Sequence, residues 1–125
     1  MQLILCQSII EGELRPLREY FSSEAIVRAA SKAIQGLGKE IKGSKVPFTR
    51  LIKVSLTGER GAGRAVFLFM IQRSAITPVL LRLKKDKILG ANVSMQNPSF
   101  VKIIEKRLNM IEDDIIKRRY DRIKL

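Results

Sequence analysis

The sequence predicts an α+β domain with helices laid on a mostly antiparallel sheet, and three observations predict it. Two segments carry apolar residues at helical spacing: Val27, Ala30, Ile34 and Leu37 in one, and Val101, Ile104, Leu108, Ile111 and Ile115 in the other. Segments 51–56, 65–71 and 76–83 instead alternate in polarity or run continuously apolar, as strands do. With 125 residues, 46% of them hydrophobic, the chain is long enough for one core and too short for two. The expectation is a single two-layer domain over 1–125, with both helical stripes buried on one face of the sheet.

The elements follow in order. Residues 3–6 are short and apolar and read as a first strand. Ile9, Ile10, Leu14, Leu17 and Phe21 recur at helical spacing around Pro16, which predicts a short or broken helix, the first arm of a helical hairpin. Ser22 and Ser23 can cap the second helix, and Gly36 and Gly38 stop it. Residues 39–47, holding Gly43, Ser44 and Pro47, read as a polar connection. Three antiparallel strands follow. In the first, Ile52, Val54 and Leu56 face one way and Leu51, Lys53 and Ser55 the other. The second, 65–71, is apolar enough to be a central strand covered on both faces. The third, 76–83, contains Pro78, which offers no N–H to a ladder and predicts an edge position or a local irregularity. Asn97 and Pro98 then cap and open a long amphipathic helix.

Charge narrows the function. The chain carries 24 Lys and Arg against 12 Asp and Glu, a net +12. Up to Val46 there are 7 basic and 5 acidic residues, and after it 17 and 7. The expected partner is a polyanion met by the second part of the chain, through counterion release and steering. No histidine is present, which excludes the Ser-His-Asp and Cys-His nucleophile systems and the commonest general base. One cysteine cannot close an intramolecular disulfide, and with no histidine beside it no zinc site is expected. No cofactor is expected. The opening residues do not resemble a signal peptide and no apolar stretch reaches the roughly 20 residues of a membrane span, so the expectation is a cytoplasmic protein with no membrane partner.

A hairpin centred on Arg73 and Ser74 would pair Arg64 with Leu83 and bring Arg82 and Lys84 beside Arg64. A return through the glycine-rich loop 58–63 would put Leu56 near Arg64, with Lys53 further along its strand. One end of the sheet then gathers Arg60, Arg64, Arg82, Lys84, Lys85 and Lys87, with Asp86 the single acid of the last run. Such crowding of like charge favours a site for an anionic ligand over a solvated hairpin end. The loop itself precedes a strand and lacks the Gly-Lys-Ser/Thr ending of a P-loop. Glu112, Asp113 and Asp114 point in successive directions on a helix and read as a solvated face rather than a metal site. Lys117, Arg118 and Arg119 begin a basic tail that either touches RNA or complements the helix dipole.

The stretch Leu51-Ile-Lys-Val-Ser-Leu56, then Gly63-Arg64-Ala-Val-Phe-Leu-Phe69, then Leu81-Arg82-Leu-Lys-Lys-Asp-Lys87 resembles the RelE/ParE superfamily of bacterial toxins. The likeness covers roughly residues 50–88; before it, only the order of elements agrees. The resemblance implies a RelE-like fold and the toxin of a type II toxin–antitoxin system, neutralised by a small antitoxin protein. In the RelE-like branch it implies an endoribonuclease that cuts mRNA on the ribosome and inhibits translation. Lys53 would then be the general base, Arg64 the phosphate-stabilising cation, and Arg82 or Lys84 a second cation. Arg60, Lys85, Lys87, Lys117, Arg118 and Arg119 would help hold RNA. A ParE-like inhibitor of DNA gyrase without nuclease activity, and a non-enzymatic basic protein that binds RNA or the ribosome, remain the alternatives.

Overall fold

The computed structural model describes residues 1–58, 60–87, 89 and 93–125. Among them a six-stranded sheet runs in the order β2-β3-β4-β5-β1-β6. Its strands are β1 (Gln2–Cys6), β2 (Lys39–Ile41), β3 (Thr49–Gly58), β4 (Gly61–Met70), β5 (Ala75–Leu83) and β6 (Tyr120–Lys124). β2 to β5 form an antiparallel meander. β1 lies parallel to β5, and β6 returns antiparallel along β1. The α+β expectation holds, with more strands than the sequence pattern revealed. The expected connection 39–47 contains β2, held by Ile41 buried opposite Leu51. The expected basic tail contains β6, an edge strand whose Asp121, Arg122 and Lys124 carry the charge that edges use against aggregation.

Helices cover both faces of the sheet rather than one. Helix α2 (Ser23–Ile34) buries Ala25, Ile26, Ala29, Ala30 and Ala33 against Val54, Leu56, Ala65 and Phe67. Helix α3 (Pro98–Ile116) buries Phe100, Ile104 and Ile111 against Leu51, Val66, Leu68 and Leu80 on the other side. The continuous apolar run of β4 demands this, because residues of both parities need cover. The α2 stripe is correspondingly rotated from the expected one: Ala30 belongs to it, but Val27 and Ile34 are only half-buried and Leu37 is 69% exposed. The α3 stripe does pack inward, with Leu108 and Ile115 partly buried beside Ile104 and Ile111.

Local chemistry sets the ends as expected. The Ser22 hydroxyl accepts from the Ala25 N–H at 3.2 Å, and Asn97 Oδ1 accepts from the Ser99 N–H at 3.1 Å ahead of Pro98. Gly36 takes the left-handed φ of +79° that ends α2, with the Leu37 N–H reaching back to the Lys32 carbonyl at 2.9 Å. Pro78 produces the anticipated irregularity: Val66 pairs with Leu80 and Phe67 with Pro78, so Val79 is the extra residue of a bulge. Arg64 faces Arg82 rather than the expected Leu83, because the hairpin turns earlier than expected, with Met70 opposite Ala75, and the bulge then shifts the register by one residue. Glu59, in the expected 58–63 loop, lies outside the described residues.

Residues 7–17 are the broken helix that Pro16 predicts: an α turn (α1, Gln7–Ile9), a π turn (Ile10–Leu14) and a 3-10 turn (Arg15–Leu17). This segment wraps the end of β1 from the α3 side, where Ile9 is buried, to the α2 side, where Leu17 packs. Two buried carboxylates hold it. Glu13 Oε1 accepts from the Leu81 N–H at 2.8 Å and from Arg82, while Glu13 Oε2 accepts from Arg107 Nε at 3.0 Å and lies 2.7 Å from Nη2. Asp114 is not on a solvated face as expected; it is buried, accepting from the Ser8 N–H at 2.9 Å, the Ser8 hydroxyl and Arg119 Nε at 3.1 Å. Burial pushes the Asp114 carboxyl up, but the Ser8 hydrogen bonds and Arg119 outweigh it, so its pKa falls below 3.8.

Removing the Glu13 charge leaves Arg107 without its acidic partner and Arg82 with only Asp86, 4.0 Å away, so Glu13→Gln should lose ~3–5 kcal/mol in urea unfolding. Glu19→Gln, which breaks an exposed 3.4 Å pair with Arg60, should lose less than ~1 kcal/mol. Comparable losses would contradict the anchoring role of Glu13. The Asp114 contribution is fully present above its unfolded value near 3.8 and is lost as pH falls through its lower folded value. Asp114→Asn should therefore be less stable than the parent at neutral pH and show a flatter stability profile below pH 3.8, measured by denaturant titration at each pH.

Candidate anion site

The bulged register puts Lys53, Ser55, Arg64 and Arg82 on one face of the sheet, since Lys53 pairs with Val66, Ser55 with Arg64, and Arg64 with Arg82. β2 adds Lys39, directly opposite Lys53. Like charges facing each other across a ladder are destabilising. Lys53 is half-buried, and its Nζ donates to the Val93 carbonyl at 3.5 Å. Burial, then Lys39, then Arg64 push its ammonium below the ordinary 10.5, since each disfavours the charged form.

A cleft opens beside this group. β2 has three residues and β3 ten, so the outer edge of β3 runs on past the start of β2. The chain leaves α2 through Gly36 and reaches β2 through Gly38, where a Cβ would stand 2.9 Å from the Lys53 carbonyl oxygen. Gly38 thus lets the connection lie close on β3 and leaves a recess of about 520 Å³ lined by Lys32, Leu37, Lys39, Lys53, Ser55 and Arg64, among others. Lys32 and Lys39 were missed by sequence reasoning. The alternation of Lys39 and Ile41 after the helix-ending glycines was the available signal, and three residues are too few to read as a strand.

The other expected site residues divide among separate environments. Arg82 lies beside Arg64 as expected, but its guanidinium is held by buried Glu13, with Asp86 4.0 Å away, and is only 22% exposed. That makes it a structural cation whose charge is already matched. Lys84 is exposed in the turn after β5, its N–H donating to the Ala62 carbonyl at 2.9 Å. Arg60 turns toward Glu19 and Lys85 toward the Tyr20 ring, 5.9 Å from its centroid, both beside the N-terminal helical segment. Lys87 is exposed and lines, with Gly12, Pro16 and Lys85, a second recess of about 620 Å³.

The last basic cluster stands apart. Four strand spacings, roughly 19 Å, separate β3 from β6. Lys117 pairs with Asp113 at 3.2 Å and Arg119 with Asp113 at 2.6 Å, while Arg118 takes a left-handed φ of +56° to turn α3 into β6. Cys6 is buried, and burial pushes its thiol up to about 11, which removes a thiolate nucleophile at neutral pH. Among the described residues no helix is long and apolar enough to cross a membrane, and no three His, Cys, Asp or Glu side chains gather as metal ligands.

No protein-family model, curated protein or solved structure matches the chain. What the chain does must therefore be inferred from the geometry of this site.

If its neighbours depress Lys53, its side chain should titrate below 10.5 by NMR, and Lys39→Gln should move that titration upward by removing one of the repelling charges. An ordinary lysine titration, unmoved by Lys39→Gln, would mean that Lys53 is simply a solvated side chain.

Proposed function

We propose that this chain is the toxin of a type II toxin–antitoxin pair, with a RelE-like fold, and that it cleaves mRNA on the ribosome. The supporting observation is a lysine whose charge is disfavoured standing diagonally across from an arginine on the next strand of the same sheet face. RNA brings its own nucleophile, the 2′-hydroxyl, so the protein must hold the strand in line, accept a proton and stabilise charge. Lys53 Nζ, in its deprotonated form, takes the 2′-hydroxyl proton as the oxygen attacks the adjacent phosphorus. Arg64 stabilises the charge that builds on the phosphoryl oxygens. As the bond from phosphorus to the 5′ oxygen breaks, that oxygen takes a proton from water and departs as a 5′-hydroxyl, leaving a 2′,3′-cyclic phosphate. A lysine tuned toward neutrality is the better base near physiological pH, and this chain has no histidine to do the work.

The residues sort by role. Lys84, exposed beside the sheet end, is the available second cation, because Arg82 is committed to Glu13. Arg60, Lys85 and Lys87 extend the basic end and contact RNA or the ribosome. Lys117, Arg118 and Arg119 form a separate basic patch. A small antitoxin completes the system, and net +12 favours an acidic one.

Inducible expression with mapping of mRNA 5′ ends tests the reading. Expression should arrest translation and create new ends inside ribosome-bound messages. Lys53→Ala and Arg64→Ala should lower cleavage by ~10²-fold or more with the fold retained. Lys117→Ala should mainly weaken ribosome or RNA affinity and reduce its salt dependence. Equal, small, salt-dependent effects at all three positions would make the surface a binding surface only. DNA damage with intact mRNA would transfer the assignment to gyrase inhibition.

A further inference from the structure

The cleft on the outer edge of β3 holds more cation than the proposed reaction uses. Lys53 and Arg64 account for one reacting phosphate, yet Lys39 and Lys32 face the same recess from β2 and from the last turn of α2. Among the described residues no carboxylate lies within ion-pair distance of Lys32, Lys39 or Lys53. Other lysines, Lys84 and Lys102 among them, also have no acidic partner there; what sets Lys32, Lys39 and Lys53 apart is that they line one recess together with Arg64. Lys39 is also held directly opposite Lys53 by the ladder, an arrangement that costs stability unless an anion sits between.

We infer that Lys32 and Lys39 form a second phosphate subsite, which binds the next phosphate of a single-stranded RNA whose reacting phosphate lies at Lys53 and Arg64. The inference rests on the nuclease reading for its ligand and adds where the strand runs: from β4 over β3 and round the open edge of β3 past the start of β2, toward Lys32 on α2, which packs on the other face of the sheet. Lys39 and Arg64 stand two strand spacings apart and two residues out of register, roughly 12 Å between backbones, a span that successive phosphates of one strand can bridge. Leu37, 69% exposed in the wall of the recess, offers an apolar surface to the base or ribose between them.

Binding of a fluorescein-labelled nine-nucleotide single-stranded RNA by the intact chain, measured by anisotropy across a salt series, tests this without requiring cleavage. Each lost phosphate contact on a single strand should lower the slope of log K against log salt by about 0.7. Lys32→Gln should weaken binding severalfold and show that loss of slope. Lys102→Gln, which removes an equal charge from the exposed surface of α3, should not. Equal effects of the two variants would mean a diffuse basic field and overturn the subsite. Inorganic pyrophosphate competing at the affinity of the RNA would also overturn it, making the recess a small-anion site. If the slope changes as expected but expression leaves mRNA intact, the subsite stands and the nuclease reading falls. If mRNA is cleaved but the slope is unchanged in Lys32→Gln, the nuclease reading stands and the subsite falls.

Discussion

A buried carboxylate at Glu13 is the constraint on which the arrangement of this molecule depends. β1 ends at Cys6, so β5 continues past it with an edge that has lost its neighbour. Glu13 supplies the acceptor that the missing strand would have given, taking the Leu81 N–H, and it takes Arg82 and Arg107 as well. The π turn that carries it sits where the chain crosses from one face of the sheet to the other, so one side chain ties the N-terminal segment, β5 and α3 together. Asp114 repeats the device from the opposite direction, joining α3 to Ser8 at the start of the same segment. A buried charge satisfied by several donors is costly to break, and it specifies one arrangement of the elements around it.

That constraint also divides the basic surface. The hairpin expected from the sequence suggests that Arg64 and Arg82 act together, and the ladder does place them side by side. Glu13, shared with Arg107, and Asp86 match the charge of Arg82 and leave the candidate anion site to the β2, β3 and β4 side of the sheet. There the balance runs the other way: Lys39 and Arg64 press on Lys53, and partial burial keeps water from relieving it. The same sheet face therefore holds an arginine matched by carboxylates and a lysine whose charged form is disfavoured, two strands apart. Environment rather than residue type separates the roles.

The long periodic elements were legible in the sequence because burial imposes their pattern. α3, the α2 cap, the both-faces burial of β4 and the Pro78 bulge all follow from residue spacing and proline chemistry. β2 and β6 were not legible: β2 has three residues and β6 is a charged edge, and each exists because a neighbouring strand offers it hydrogen bonds. The helices' division between two faces was likewise hidden, since an apolar stripe records that it is buried but not against what. Lys53 and Arg64 were legible as basic strand residues. Lys32 and Lys39 were not, because they enter the site only through the α2–β2 connection and the β2–β3 pairing. Asp114 read as part of a solvated face and Glu13 gave no signal, and only the fold makes them interior.

The central claim is that the chain uses the RNA's own 2′-hydroxyl, with Lys53 as the group that receives its proton. The most direct measurement supplies purified protein with ribosomes carrying an mRNA that has a single 2′-deoxy substitution at the nucleotide preceding the cleaved bond. The proposed chemistry predicts that this message binds normally and is not cut, while the unsubstituted message yields a 2′,3′-cyclic phosphate end. Cleavage of the deoxy-substituted message at an equal rate would contradict it.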